Sequence, residues 1–143
     1  MKPIYPNWPI YVGWSKRLNC RGIQPARAIV ADEVIEVCPV ILIEYSTKQG
    51  QSEKAPTNTL LDNYYYEWNA NSWCFPLGYA TLYNHSYSPN AVYSYDYRNK
   101  LIKYIALHPI APDEEITVNY NDLPDDKTPI DDWFGEYNGR KII

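Results

Sequence analysis

Twelve prolines and six glycines among 143 residues decide much of what this chain can become. Proline lacks the amide proton that helices and central strands use, and glycine loosens the backbone, so elements between them stay short. The apolar runs that remain are brief and rich in Val, Ile, Tyr and Trp, residue types that suit a pleated surface. They predict strands over residues 10–14, 27–30, 34–45, 91–97, 101–106 and 115–120. Arg98-Asn99-Lys100 reads as a hairpin turn between two of them, and Ala31-Asp32-Glu33 and Pro112-Asp113-Glu114 as turns that precede strands. Helix is scarce. Residues 59–68 fit a helix or a strand equally well, residues 77–83 fit a short helical turn, and the polar run 47–58 fits a surface loop. With no repeat or linker in view, the expectation is one mostly β domain of short sheets.

The side chains narrow the function classes. Fifteen Tyr and five Trp stand against two Phe, and rings with a polar tip suit half-buried clefts as well as cores. Most of them are expected to pack ordinary sheets. Net charge is −4, and residues 113–136 hold nine acidic side chains against one basic one, Lys127. Nucleic acid as the main partner would call for a basic face. An acidic field instead draws basic peptides, or simply keeps a segment solvated. Cys20, Cys38 and Cys74 show no C-x-x-C spacing, and His85 and His108 are the two histidines. Neither a metal site nor a disulfide framework is therefore expected, and a reducing compartment is. Residues 1–10 carry three prolines and no apolar core, unlike a secretory signal. The apolar run 34–43 is broken by Glu36 and Pro39 and is too short to span a membrane. A soluble intracellular protein is expected, cytoplasmic, or nuclear in a eukaryotic source.

Two segments carry the chemistry. Asn84-His85-Ser86-Tyr87-Ser88-Pro89-Asn90 reads Asn-His-Ser-x-x-Pro-Asn, and after residues 91–113 comes Glu114-Glu115-Ile116-Thr117-Val118-Asn119-Tyr120. Either alone is an ordinary polar loop or strand end. In this order and at this distance the pair resembles the two signature motifs of the SET-domain protein lysine methyltransferases, and the likeness runs over residues 13–121. The resemblance implies a mostly β SET fold of short curved sheets with little helix. It also implies that the C-terminal strand segment threads through a loop of the preceding chain in a knot-like crossing. One domain over 1–143 is expected, with 13–121 as its core and 122–143 as a C-terminal lid.

The same resemblance implies transfer of a methyl group from S-adenosyl-L-methionine to the side-chain amine of lysine in a protein, histone-like or otherwise basic. That amine must be neutral to attack, which costs roughly 3 kcal/mol at pH ~8 for a free lysine of pKa ~10.4. Burial in an apolar channel beside a sulfonium charge lowers that pKa, so positioning and desolvation supply much of the catalysis. Tyr120 is implied as the catalytic tyrosine that orients the amine. Donor contacts fall to Cys20, Arg21 and Gly22, where the family has Gly-x-Gly and this chain has Cys in place of the first glycine. They fall also to Asn84, His85 and Tyr120, and to Phe134 (or Trp133) as an aromatic lid, since no cysteine after Cys74 can build a zinc module. Tyr93, Val118 and Cys38 are implied in the lysine channel. Val118 alone leaves room for several methyl groups, whereas Tyr93 filling the gap favours mono- or dimethylation. Tyr87 stands where the family often has Cys, and Asn119 where it often has an acid. Two other readings stay open: a catalytically silent SET-like module that binds peptides, favoured by Cys20 and Asn119, and a Tyr/Trp-rich β domain that stacks sugars. The paired motifs weigh against the second, and Tyr120, Asn84 and His85 weigh against the first.

Overall fold

The computed structural model describes residues 7–44, 47–48, 51–52 and 64–130. Among them the chain is built almost wholly from strands. In order they are β1 (Ile10–Ser15), β2 (Cys20–Pro25), β3 (Val34–Glu44), β4 (Thr47–Lys48), β5 (Gln51–Ser52), β6 (Tyr66–Asn69), β7 (Ser72–Pro76), β8 (Asn84–His85), β9 (Ala91–Asp96), β10 (Leu101–Ala106) and β11 (Thr117–Val118). The described helical structure is a single 3-10 turn, Ala80–Leu82. The mostly β expectation holds, and its details shift. Residues 27–30 supply one bridge, Ile29 to Ile110, rather than a strand. Tyr66 to Asn69 resolve as strand, not helix. Cys20–Pro25 and Ser72–Pro76 are strands that proline and glycine content hid. Both end at a proline, where no further ladder amide is needed.

Five strands form one sheet in the order β6-β7-β3-β10-β9. β3 sits at its centre between β7 and β10, and on β10 the side chains alternate: Ile102, Tyr104 and Ala106 are buried while Leu101, Lys103 and Ile105 are half-exposed. The sheet curls. β6 and β9 are its two edges, yet Tyr66 on one meets Tyr93 on the other at 5.2 Å between ring centres. Trp68 likewise lies edge-on to Tyr95 and Tyr97, at 5.6 and 4.9 Å. A register shift between Tyr104 and Ile105 marks a bulge that tightens the twist.

A second, smaller layer holds the paired motifs. β1 and β2 form an antiparallel hairpin from Ile10↔Pro25 to Ser15↔Cys20. β8 and β11 pair in parallel, Thr117↔Asn84 and Val118↔His85, and Ile116 bridges back to Ile23 of β2. The C-terminal strand segment therefore lies between the hairpin and β8. Ile23, Ile116 and Val118 are fully buried there and join the main core of Ile35, Ile102 and Tyr104. Burying each such aliphatic side chain contributes about 1.5–3 kcal/mol, which is why two-residue strands persist.

Candidate active site

Asn90 shows why the two motifs occur together. Its Nδ2 donates to Glu114 Oε1 (3.0 Å) and to the Glu115 carbonyl (2.8 Å), and its Oδ1 accepts the Thr117 amide (2.9 Å). The last residue of the first motif thus splints the start of the second. A side-chain amide carries two donors and an acceptor, so Asn90 alone can bond the neighbouring chain in both senses. The Ser86 amide adds a bond to the Val118 carbonyl at 2.9 Å.

The second motif then delivers Tyr120. Its amide donates to His85 Nδ1 at 3.1 Å, which leaves the neutral imidazole proton on Nε2. Its hydroxyl donates to the Tyr83 carbonyl at 2.7 Å. The ring is fixed at both ends by the residues just before and inside the Asn-His-Ser loop. Burial pushes its phenol well above the ordinary tyrosine range. Asn119 beside it is buried; its Nδ2 donates to the Asp126 carbonyl (2.6 Å) and its Oδ1 accepts the Asn121 amide (3.0 Å). An amide at this position shapes the turn after Tyr120, a role that a carboxylate, having no donor, fills by half.

Tyr120 faces a cavity of about 300 Å3 inside the curl of the sheet. Its walls include Tyr64, Tyr65, Tyr66, Trp73, Tyr83, Tyr93 and Tyr95, with the carboxylates of Glu67 and Asp122. Tyr93 is 5 % exposed, and its hydroxyl donates to Asp122 Oδ1. Glu67 and Asp122 are exposed, so the acids stand toward solvent and the rings lie deeper. Of the implied channel residues, Tyr93 lines this cavity; Val118 is packed in the core, and Cys38 lies behind it with its thiol on Glu36 and its pKa pushed up by burial. Such a space suits a cation on a long apolar stem. Carboxylates attract it at the mouth, π-faces hold it inside, and exclusion of water favours its neutral form.

The implied donor residues gather on the other side of Tyr120, on β2 and β8. Asn84 Nδ2 donates to the Arg21 carbonyl (3.0 Å) and to Glu115 Oε1 (2.7 Å), while the Cys20 thiol contacts Asn84 Oδ1 at 3.7 Å. Ser15 Oγ holds the other Glu115 oxygen at 2.6 Å, and Arg17 grips the His85 carbonyl at 2.6 Å. Gly22 belongs to a strand rather than a turn, and its glycine is needed for space. A Cβ there would run into Glu115 Oε1 and sit 2.7 Å from Asn84 Nδ2. Close-packed backbone carrying amide, carboxylate and guanidinium groups fits an amino-acid-bearing nucleoside such as the methyl donor. Phe134 and Trp133 lie outside the described residues.

Several members of this site escaped the sequence reading. Tyr83 directly precedes Asn84, and Tyr66 belongs to the Tyr64-Tyr65-Tyr66 run, so adjacency to the motif and an aromatic cluster were the available signals. Glu115, Asp122 and Glu67 were visible as acids without any hint of their partners.

Comparison with known proteins identifies the family to which this fold belongs. The SET domain family matches residues 21–121. A histone-lysine N-methyltransferase of Schizosaccharomyces pombe, specific for H3 lysine-37, is 30% identical over 102 residues, 71% of this chain and 67% of that protein. Among solved structures, a Plasmodium falciparum protein described as a candidate histone methyltransferase superposes with a TM-score of 0.64 at 33% identity, covering 79% of this chain and 93% of that one. KRYPTONITE, solved with mCHG DNA and SAH, gives a TM-score of 0.56 at 18% identity over 80% of this chain and 24% of its own, a likeness of fold.

Proposed function

The chain belongs to the SET-domain family, and on that footing we propose that it methylates lysine side chains in basic proteins, histones foremost, with S-adenosyl-L-methionine as donor. The observation that carries this reading is the position of Tyr120: its hydroxyl is fixed on the Tyr83 carbonyl, its amide on His85, and its ring walls the tyrosine-lined cavity. When bound, the donor supplies an electrophilic methyl group on a sulfonium. Cys20, Arg21, Gly22, Asn84 and His85 would hold it on the strand side of Tyr120, with Phe134, outside the described residues, as the implied lid.

The remaining work belongs to the chain. Glu67 and Asp122 draw the substrate ammonium toward the cavity. Tyr66, Tyr93 and Tyr95 strip water from it, lowering its pKa and releasing the proton to solvent. The Tyr120 oxygen, whose own proton is committed to the Tyr83 carbonyl, accepts an amine N–H and so aims the nitrogen lone pair at the donor's methyl group. Tyr93 is tied to Asp122 in the same manner and offers a second acceptor. Two acceptors on one amine leave little room for bulky substituents, which favours mono- over trimethylation. Calorimetric titration of the purified chain with S-adenosylhomocysteine tests the donor half of the proposal. Micromolar binding is expected; absence of binding contradicts it, and binding without transfer to any histone supports the silent peptide-binding module instead.

A further inference from the structure

A carboxylate that takes no direct part in this chemistry lies buried behind it. Glu36, near the start of β3, is 2 % exposed. Among the described residues no cation pairs with it, and an unpaired buried charge is costly. Burial raises its pKa accordingly. Its surroundings are nonetheless fitted to it. Oε1 accepts the Tyr79 amide at 2.8 Å, and Oε2 accepts the Tyr83 hydroxyl at 3.1 Å. The Cys38 thiol on the same strand face adds a third hydrogen bond. Gly78 stands against it at φ +80°, and a Cβ there would lie 2.5 Å from Oε1.

These contacts grip the two ends of one short turn. The chain from Tyr79 to Tyr83 is closed by the Leu82 amide on the Tyr79 carbonyl at 2.8 Å. At its middle the Ala80 carbonyl receives the hydroxyls of Tyr66 (3.0 Å) and Tyr104 (3.2 Å). At its end the Tyr83 ring stacks on Tyr104, 4.2 Å between centres and 7° from parallel. The same residue's carbonyl receives the Tyr120 hydroxyl. Two donors, one from backbone and one from a phenol, meet two oxygens of one group. A carboxylate satisfies both; glutamine has one acceptor oxygen and leaves one donor facing an NH2.

We propose that Glu36 is a positioning residue for Tyr120: by holding Tyr79 and Tyr83 at opposite ends of their turn, it fixes the carbonyl that aims the Tyr120 hydroxyl. The inference rests on the reading of Tyr120 as the catalytic tyrosine. It accounts for a carboxylate in a core position where leucine would pack at less cost, and for the glycine of positive φ beside it.

The test is steady-state methyl transfer to histones by Glu36→Gln, Tyr83→Phe and their combination, each also placed on Tyr120→Phe, with circular dichroism confirming the fold. Each single change is expected to lower kcat about tenfold, a ~1.4 kcal/mol loss of transition-state stabilisation, while KM for donor and histone moves less than about twofold. The double variant should fall no further than either single one, because both cut the same tether. On Tyr120→Phe the Glu36→Gln change should alter kcat by less than about twofold, since the hydroxyl it aims is gone. A merely structural glutamate would lower kcat equally in both backgrounds. If Glu36→Gln fails to fold, Tyr83→Phe alone, which keeps the Tyr79 bond, carries the same comparison. A folded variant with wild-type kcat, or a full tenfold loss on Tyr120→Phe, overturns the proposal while leaving the lysine methyltransferase reading intact. A wild-type chain indifferent to Tyr120→Phe overturns both.

Discussion

At the scale of single residues, what decides the site is how few conformations each side chain is allowed. Gly22 is the sharpest case, because any side chain there meets Glu115 and Asn84 together. Gly22→Ala should weaken S-adenosylhomocysteine binding at least about tenfold and lower Tm by several degrees; unchanged affinity would show that the β2–β8 contact does not form the donor side. Tyr120 makes a prediction in pH. Its phenol is pushed above the ordinary value of ~10 by burial, so it keeps its proton as the substrate lysine loses one. The kcat/KM profile should therefore rise with pH through the lysine titration and show no fall up to pH ~10; a falling limb below that would contradict a buried tyrosine. The sequence made Tyr120, Asn84 and His85 legible because the motif spacing names them. It hid Glu36, Tyr83 and Asp122, whose importance lies in partners 47, 37 and 29 residues away in the chain.

At the scale of elements, two of the shortest strands hold the paired motifs. β8 and β11 have two residues each, too few for a parallel ladder to hold by itself. Asn90 replaces the missing ladder with three side-chain bonds. Asn90→Ala leaves the buried Thr117 amide without its acceptor and should cost about 2–4 kcal/mol by urea denaturation. A loss below ~1 kcal/mol would mean that packing of Ile116 and Val118 alone holds the pair. The strands β3, β9 and β10 were readable as runs rich in Val, Ile and Tyr and from the Arg98-Asn99-Lys100 turn. β2 and β7 were not, and β6 stayed open between helix and strand. Gly22 and the prolines that end β2 and β7 look like breakers in a one-dimensional pattern, and only the partner strands make them tolerable.

At the scale of the whole molecule, curl and charge act together. The sheet brings its two edges close enough for Tyr66 to touch Tyr93, and the cavity exists because of that closure. No hydropathy pattern encodes it, so the composition revealed the rings without their common destination. Around the opening, Glu67 and Asp122 lie in a chain of net charge −4. Attraction of a basic histone tail is therefore screened by salt, and KM for it should rise several-fold between ~0.05 and ~0.5 M NaCl with kcat little changed. A flat response would place peptide recognition in apolar contacts. The most direct test of the account is mass spectrometry of core histones incubated with the donor and either the wild-type chain or Tyr120→Phe. The account predicts methylated lysines with the wild type and a rate reduced on the order of 100-fold in the variant; equal methylation by both would contradict it.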